Sequence, residues 1–114
     1  MKNNNELREY CENIRKELEA IYDGTTEEKN DDGEQMTMYD YFQDVLDCEY
    51  TISSRGDFLG VKVYVALGGP NVWIDTRREE IGGAWGTDRE EVWLPSEIAK
   101  EIDDIFSEYY EMTK

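Results

Sequence analysis

The chain has no histidine, two cysteines, two prolines and only twelve basic residues among its 114. Each scarcity closes off a class of chemistry. Without histidine there is no ordinary Ser–His or Cys–His nucleophile pair, and the commonest general base is missing. Zinc loses its commonest nitrogen ligand, and Cys11 and Cys48, distant and without Cys-x-x-Cys spacing, cannot complete a structural site. The two thiols read instead as small, reduced residues of a cytoplasmic protein. A phosphate-cradling loop is also lacking, because Gly68-Gly69 runs into Pro70 with no Lys-Ser/Thr after it. No apolar run approaches the roughly 18 residues of a membrane-spanning helix, and residues 1–6 lack the apolar core of a signal peptide. The expectation is a protein with no catalytic residues, no metal, no cofactor and no membrane contact.

What the chain does have is acid: 28 Asp and Glu against 12 Lys and Arg, a formal net charge of −16. Such self-repulsion favours solubility over stability. It also repels nucleic acid and anionic membrane, so the attractive partners are basic surfaces, most of which belong to nucleic-acid-binding proteins. Fourteen aromatic residues (eight Tyr, three Phe, three Trp) supply enough apolar area for a packed core. The length fits one domain, 1–114.

Periodicity places the elements. Leu7, Cys11, Ile14, Leu18 and Ile21 recur at spacings of four and three, which predicts an amphipathic helix over 5–22 whose charged faces are solvated. Residues 23–36 carry acids and two glycines but no aliphatic residue before Met36, and read as a flexible acidic loop. A calcium hand centred on Gly33 fails there, because the twelfth position, which needs a bidentate Glu, is Tyr39. Thr37 and Asp40 have capping-box spacing and predict a second helix over 37–47. From Cys48 the period becomes two: Tyr50 and Ile52, then Val61, Val63 and Val65, then Val72 and Ile74, with shorter segments near 83–85 and 92–94. Short strands joined by turns pair antiparallel. Ser96, as N-cap, opens a last helix over 96–110. The expected architecture is α+β, an antiparallel meander of three to five strands within 48–94 packed with N- and C-terminal helices. The expected core comprises Phe42, Val61, Val63, Val65, Ile74, Ile98, Ile102 and Ile105.

Two features suggest a binding surface. Glu97, Glu101, Asp104, Glu108 and Glu111 are spaced four, three, four and three, so they fall within about 80° of one another on the last helix. Over about 21 Å of axis they place one negative charge per roughly 4 Å, close to the roughly 3.4 Å of a DNA strand. Parity along the strands puts Tyr64, Trp73 and Trp93 on the face opposite the aliphatic residues. The plain reading is a second small core covered by the N-terminal helix; the functional one is a partner-binding patch, since Trp and Tyr are enriched at hot spots.

The segments 38–42, 47–50 and 65–76, with Gly68-Gly69-Pro70-Asn71 at their centre, resemble a family of small acidic proteins encoded on conjugative and integrative elements of Gram-positive bacteria. The likeness covers residues 37–110 and leaves the first helix and acidic loop as an extension. The family brings no catalytic or binding residues to carry over. It implies a setting in which small acidic proteins block host defence, including nucleic-acid mimics. The resulting expectation is a non-enzymatic acidic interaction protein that binds a basic nucleic-acid-binding enzyme through Glu97, Glu101, Asp104, Glu108 and Glu111. The alternative is an accessory module that binds an ordinary protein through Trp73 and Trp93.

Overall fold

The alternation that begins near Cys48 does build strands, and the two-residue period fixes which face each side chain takes. In the computed structural model, which describes residues 4–43, 45 and 47–113, five strands run β1 (Asp47–Ile52), β2 (Phe58–Ala66), β3 (Asn71–Asp75), β4 (Glu80–Trp85) and β5 (Asp88–Trp93). They form one antiparallel sheet in sequence order. Helix α1 (Asn4–Asp23) precedes the sheet, a single turn α2 (Met38–Tyr41) lies before β1, and α3 (Ser96–Met112) closes the chain. The fold is α+β.

Register makes one aliphatic row across the whole sheet. Cys48 faces Val63, Val63 faces Ile74, Ile74 faces Ile81, and Ile81 faces Val92. The last four are buried. Over this face α1 lies on β4 and β5, while α3 lies on β2. The predicted α1 stripe is buried at every position from Leu7 to Ile21, and Ile98, Ile102 and Phe106 of α3 are buried beside Phe42. Phe42 and Phe106 meet edge to face at 5.5 Å. Val65 and Ile105, expected in the core, are only partly buried at its margin.

Two expectations are corrected. The second helix stops after one turn. Its capping box forms, with Thr37 Oγ1 accepting from the Asp40 amide and Asp40 Oδ2 accepting from the Thr37 amide, but from Asp47 the chain pairs with β2. Strand pairing is a tertiary gain that a local helical pattern does not show. Residues 44 and 46 of the expected helix lie outside the described residues. Next, Pro95 and not Ser96 is the N-cap of α3, with no side-chain cap bond. The acidic segment after α1 is tied by turn hydrogen bonds. Lys29 bridges Gln35, Asn30 Oδ1 accepts from the amides of Asp32 and Glu34, and Gln35 Nε2 donates to the carbonyls of Gly24 and Thr26. Amide side chains supply there the closure that apolar burial does not.

One buried acid stands out. Asp103 on α3 reaches toward Thr76, whose buried hydroxyl closes the β2–β3 end by accepting from the Val61 amide at 3.0 Å. Asp103 Oδ1 is buried with no hydrogen-bond partner among the described residues. Burial raises its pKa above the ordinary 3.8, and the nearby Thr76 hydroxyl opposes this. A carboxyl whose pKa rises on folding lowers stability above that raised value, and the penalty fades as pH falls toward 3.8. Asp103→Asn is therefore expected to raise the melting temperature by a few degrees at pH 7, with the gain shrinking at pH 4. Thermal unfolding of the two proteins at both pH values checks this.

Candidate functional site: the acidic helical side

The fold separates the charge. Residues 4–43 and 96–113, the helices and the turn, hold eighteen acids against five bases, whereas residues 47–95 hold nine against five. On α3, Glu97, Asp104, Glu108 and Glu111 are exposed and Glu101 is half-buried. Lys100 reaches Asp104 at 4.0 Å; Glu97, Glu101 and Glu108 have no ion-pair partner among the described residues. Glu97 suits the positive end of the helix. Glu108 stands near the negative end of the helix, where it opposes the dipole at a cost of about 0.3–1 kcal/mol.

Neighbouring elements extend the stripe. The C-terminal end of α1 brings Glu19 and Asp23 to a small cleft beside Glu97. Further along, Glu101, Asp104 and Glu108 border a groove of 340 Å³ whose apolar wall is Tyr39, Ile105 and Tyr109. Tyr39 comes from α2, its ring 6.3 Å from that of Tyr109, and is about half exposed. Spacing on α3 alone could not have placed it there.

A second groove, of 550 Å³, lies on the other side of α2 and was not legible in the sequence. Glu6, Glu9, Tyr10 and Glu17 of α1 form one wall, Tyr41 of α2 another, and Val65 and Trp85 part of the floor. The helical spacing of the α1 residues was visible, but it read as a solvated face because Val65, Trp85 and Tyr41 reach it from distant parts of the chain.

The tryptophans share a face as parity requires, but they do not form one platform. Trp73 pairs with Tyr64 and Gly82, and Gly82 pairs with Glu91, two residues from Trp93. The expectation that the N-terminal helix covers this face is corrected: α1 packs on the aliphatic face, where its own apolar stripe is satisfied. Gly83 admits it there, since a Cβ at this position would sit 2.8 Å from Leu7 Cδ1. Trp73 is instead covered by its own sheet. Its indole lies across Gly82, with Lys62 Nζ 4.6 Å and the Arg89 guanidinium 5.1 Å from the ring centre. It is 5% exposed, whereas Trp93, on edge strand β5, is 62% exposed. Only Trp93 presents a free ring surface.

Burial, with Glu90 nearby, pushes the Cys11 thiol up to about 11, so it is protonated at neutral pH and a poor nucleophile. Among the described residues no three Asp, Glu or Cys side chains converge as a metal ion would require, and no helix is long and apolar enough to cross a membrane. The chain matches no family model, no curated protein and no solved structure.

The closeness of Gly82 to Trp73 is directly testable. A Cβ at 82 would lie 2.6 Å from Trp73 Nε1, so Gly82→Ala must lift the indole from the sheet and away from its two cations. The expected loss is about 1–3 kcal/mol, read by urea unfolding, together with a shift of the Trp73 indole N–H signal.

Proposed function

We propose that the protein is a non-enzymatic acidic interaction protein whose helical side occupies the basic nucleic-acid channel of a partner enzyme. The observation that carries this reading is the segregation of acid onto the helices, above all the α3 ridge with its unpaired Glu97, Glu101 and Glu108. Charge that only confers solubility serves wherever it sits on the surface, whereas here the surplus is concentrated on the helical layer, and carboxylates at a helix C-terminus work against the helix dipole. The line density of the ridge, near that of a nucleic-acid strand, supports a phosphate-like role. A cytoplasmic setting on a mobile element, where blocking a defence nuclease is useful, fits the resemblance of residues 37–110.

A second reading, an accessory module binding an ordinary protein through the open sheet face, is favoured by the exposure of Trp93. It is weakened at Trp73, which the chain's own Lys62 and Arg89 already cover. Burial of an aromatic is little screened, whereas exposed charge pairing weakens with salt.

The test replaces Glu97, Glu101, Asp104, Glu108 and Glu111 together by the matching amides. Exposed charge pairs contribute about 0.2–1 kcal/mol each, so affinity for a captured basic partner is expected to fall at least about tenfold at low salt. The salt slope should flatten and DNA should compete with the unaltered protein. The melting temperature should hold or rise, because the ridge lies off the core. Binding that ignores both salt and the five changes would transfer the function to Trp93, where alanine substitution is the next measurement.

A further inference from the structure

The strands run in sequence order, so the sheet has two edges, β1 and β5, beyond which no described strand pairs. An edge strand keeps a row of main-chain N–H and C=O groups that can pair with another chain. The two edges differ in charge. Strand β1 carries Asp47 and Glu49 and no base. On β5 two of the acids are already held: Glu90 accepts from Arg8 of α1 at 3.2 Å, and Arg89 reaches Glu91 at 3.6 Å. Trp93 ends that strand and is 62% exposed. The flank of α1 beside β5 repeats the balance. Its other flank borders the trench next to α2, but here Arg8, Glu12, Arg15 and Glu19 run base, acid, base, acid and pair with one another. Read against its own reverse, that order sets Arg8 opposite Glu19 and Glu12 opposite Arg15. With Lys16 adjoining it, this corner holds three of the five bases of the helical layer.

We infer that β5 and this flank of α1 form a two-fold interface with a second copy of the chain, the two sheets joining edge to edge. A two-fold interface must be self-complementary, and the charge order on α1 is. Helix α1 lies over β4 and β5. Pairing of β5 with its copy at about 4.8 Å therefore sets two antiparallel α1 helices about two strand spacings apart, near the 8–10 Å of packed helices. The register follows from where the helix sits. Arg8 reaches Glu90, and the end of α1 with Glu19 and Asp23 meets Pro95, so the midpoint of the charge order, between Asn13 and Ile14, falls beside Val92. An axis there sets Val92 against Val92 of the second copy and Glu91 against Trp93. On the open face, Arg89 and Trp93 of the copy become the diagonal neighbours of Trp93, within reach of its indole. Trp93 is then covered as Lys62 and Arg89 cover Trp73. The alternating order also selects a second copy over a segment of one charge sign, which would meet like charge on this flank. The β1 edge does not offer this, since its copy would bring acid to acid. The net charge of −16 opposes association at long range, and salt screens it. The α3 ridge takes no part.

Sedimentation equilibrium of the full chain, from micromolar to millimolar concentration, tests this. The mass should double as concentration rises. The dimer should tighten as ionic strength goes from about 0.01 M to about 0.15 M, where the Debye length falls from about 30 Å to about 8 Å; binding through the α3 ridge should weaken over the same range. Trp93→Ala, at an exposed position, should weaken the dimer about tenfold or more. Arg15→Glu would face Glu12 of the copy, and Glu12→Arg would face Arg15, so each variant alone should be monomeric. Mixed together, the two should form a heterodimer in which every facing pair is of opposite sign. Circular dichroism checks that each variant keeps its fold. The five-amide variant of α3 should dimerise at least as tightly as the unaltered chain. A chain that stays monomeric at millimolar concentration and about 0.15 M salt overturns the inference. So does a dimer that Trp93→Ala, or both charge variants, leave intact, because it would use another face. Loss of the dimer in the five-amide variant alone would move the interface to α3 and overturn it as well.

Discussion

The row Cys48–Val63–Ile74–Ile81–Val92 is the constraint from which the rest follows. It gives the sheet a single aliphatic face, and an apolar face must be covered. Both long helices therefore lie on the same side, and their buried stripes, Leu7 to Ile21 and Ile98 to Phe106, take up the available apolar contact. A two-layer molecule of this kind leaves the opposite sheet face in water. On that face Trp73 is covered locally, flat on Gly82 between Lys62 and Arg89, while Trp93 stays open. A cation over a ring is worth about 0.5–1 kcal/mol at an exposed site, and the aliphatic stems cover the indole as well.

Because the helices turn their apolar stripes inward, the charge they carry, Asp103 excepted, is turned outward, and the surplus acid gathers on the helical layer. The two helices treat it differently. On α1 the line Arg8, Glu12, Arg15, Glu19 alternates in sign and is internally paired, and the Arg15 hydrogen bond holds the Glu12 carboxyl below its usual range. On α3, Lys100 reaches Asp104, and Glu97, Glu101 and Glu108 have no ion-pair partner among the described residues. The acidic side of each helix borders α2.

That single turn is small but well held. Its capping box joins Thr37 to Asp40, and Asp40 also accepts from Asn30 Nδ2 at 3.1 Å, which ties the acidic turn to it. Met38 and Phe42 anchor it in the core. With both ends fixed, Tyr39 points to the α3 groove and Tyr41 to the α1 trench. Each acidic helix side therefore has an aromatic wall. A surface of this composition suits a partner that is basic and also offers apolar anchors, which bare polyanion mimicry would not require.

Much of the fold was legible because the signals were local. The 3.6-residue stripe of α1, the two-residue period of the valines, and the turns at 54–57 and 68–71 each depend only on neighbours in the chain. The five acids of α3 were legible for the same reason, since helical spacing alone puts them on one ridge. The length of α2 was not, because Asp47, at the end of the expected helix, pairs with β2, a partner distant in sequence. Nor was the fate of the tryptophans: parity assigned Trp73 and Trp93 to one face, but only the cross-strand positions of Lys62, Gly82 and Arg89 decided that one is covered and the other open. The α1 trench depended on tertiary structure most of all. Its acids read as an ordinary solvated face until the fold set Tyr41, Val65 and Trp85 beside them, and a groove exists only where segments remote in the chain leave a space between them.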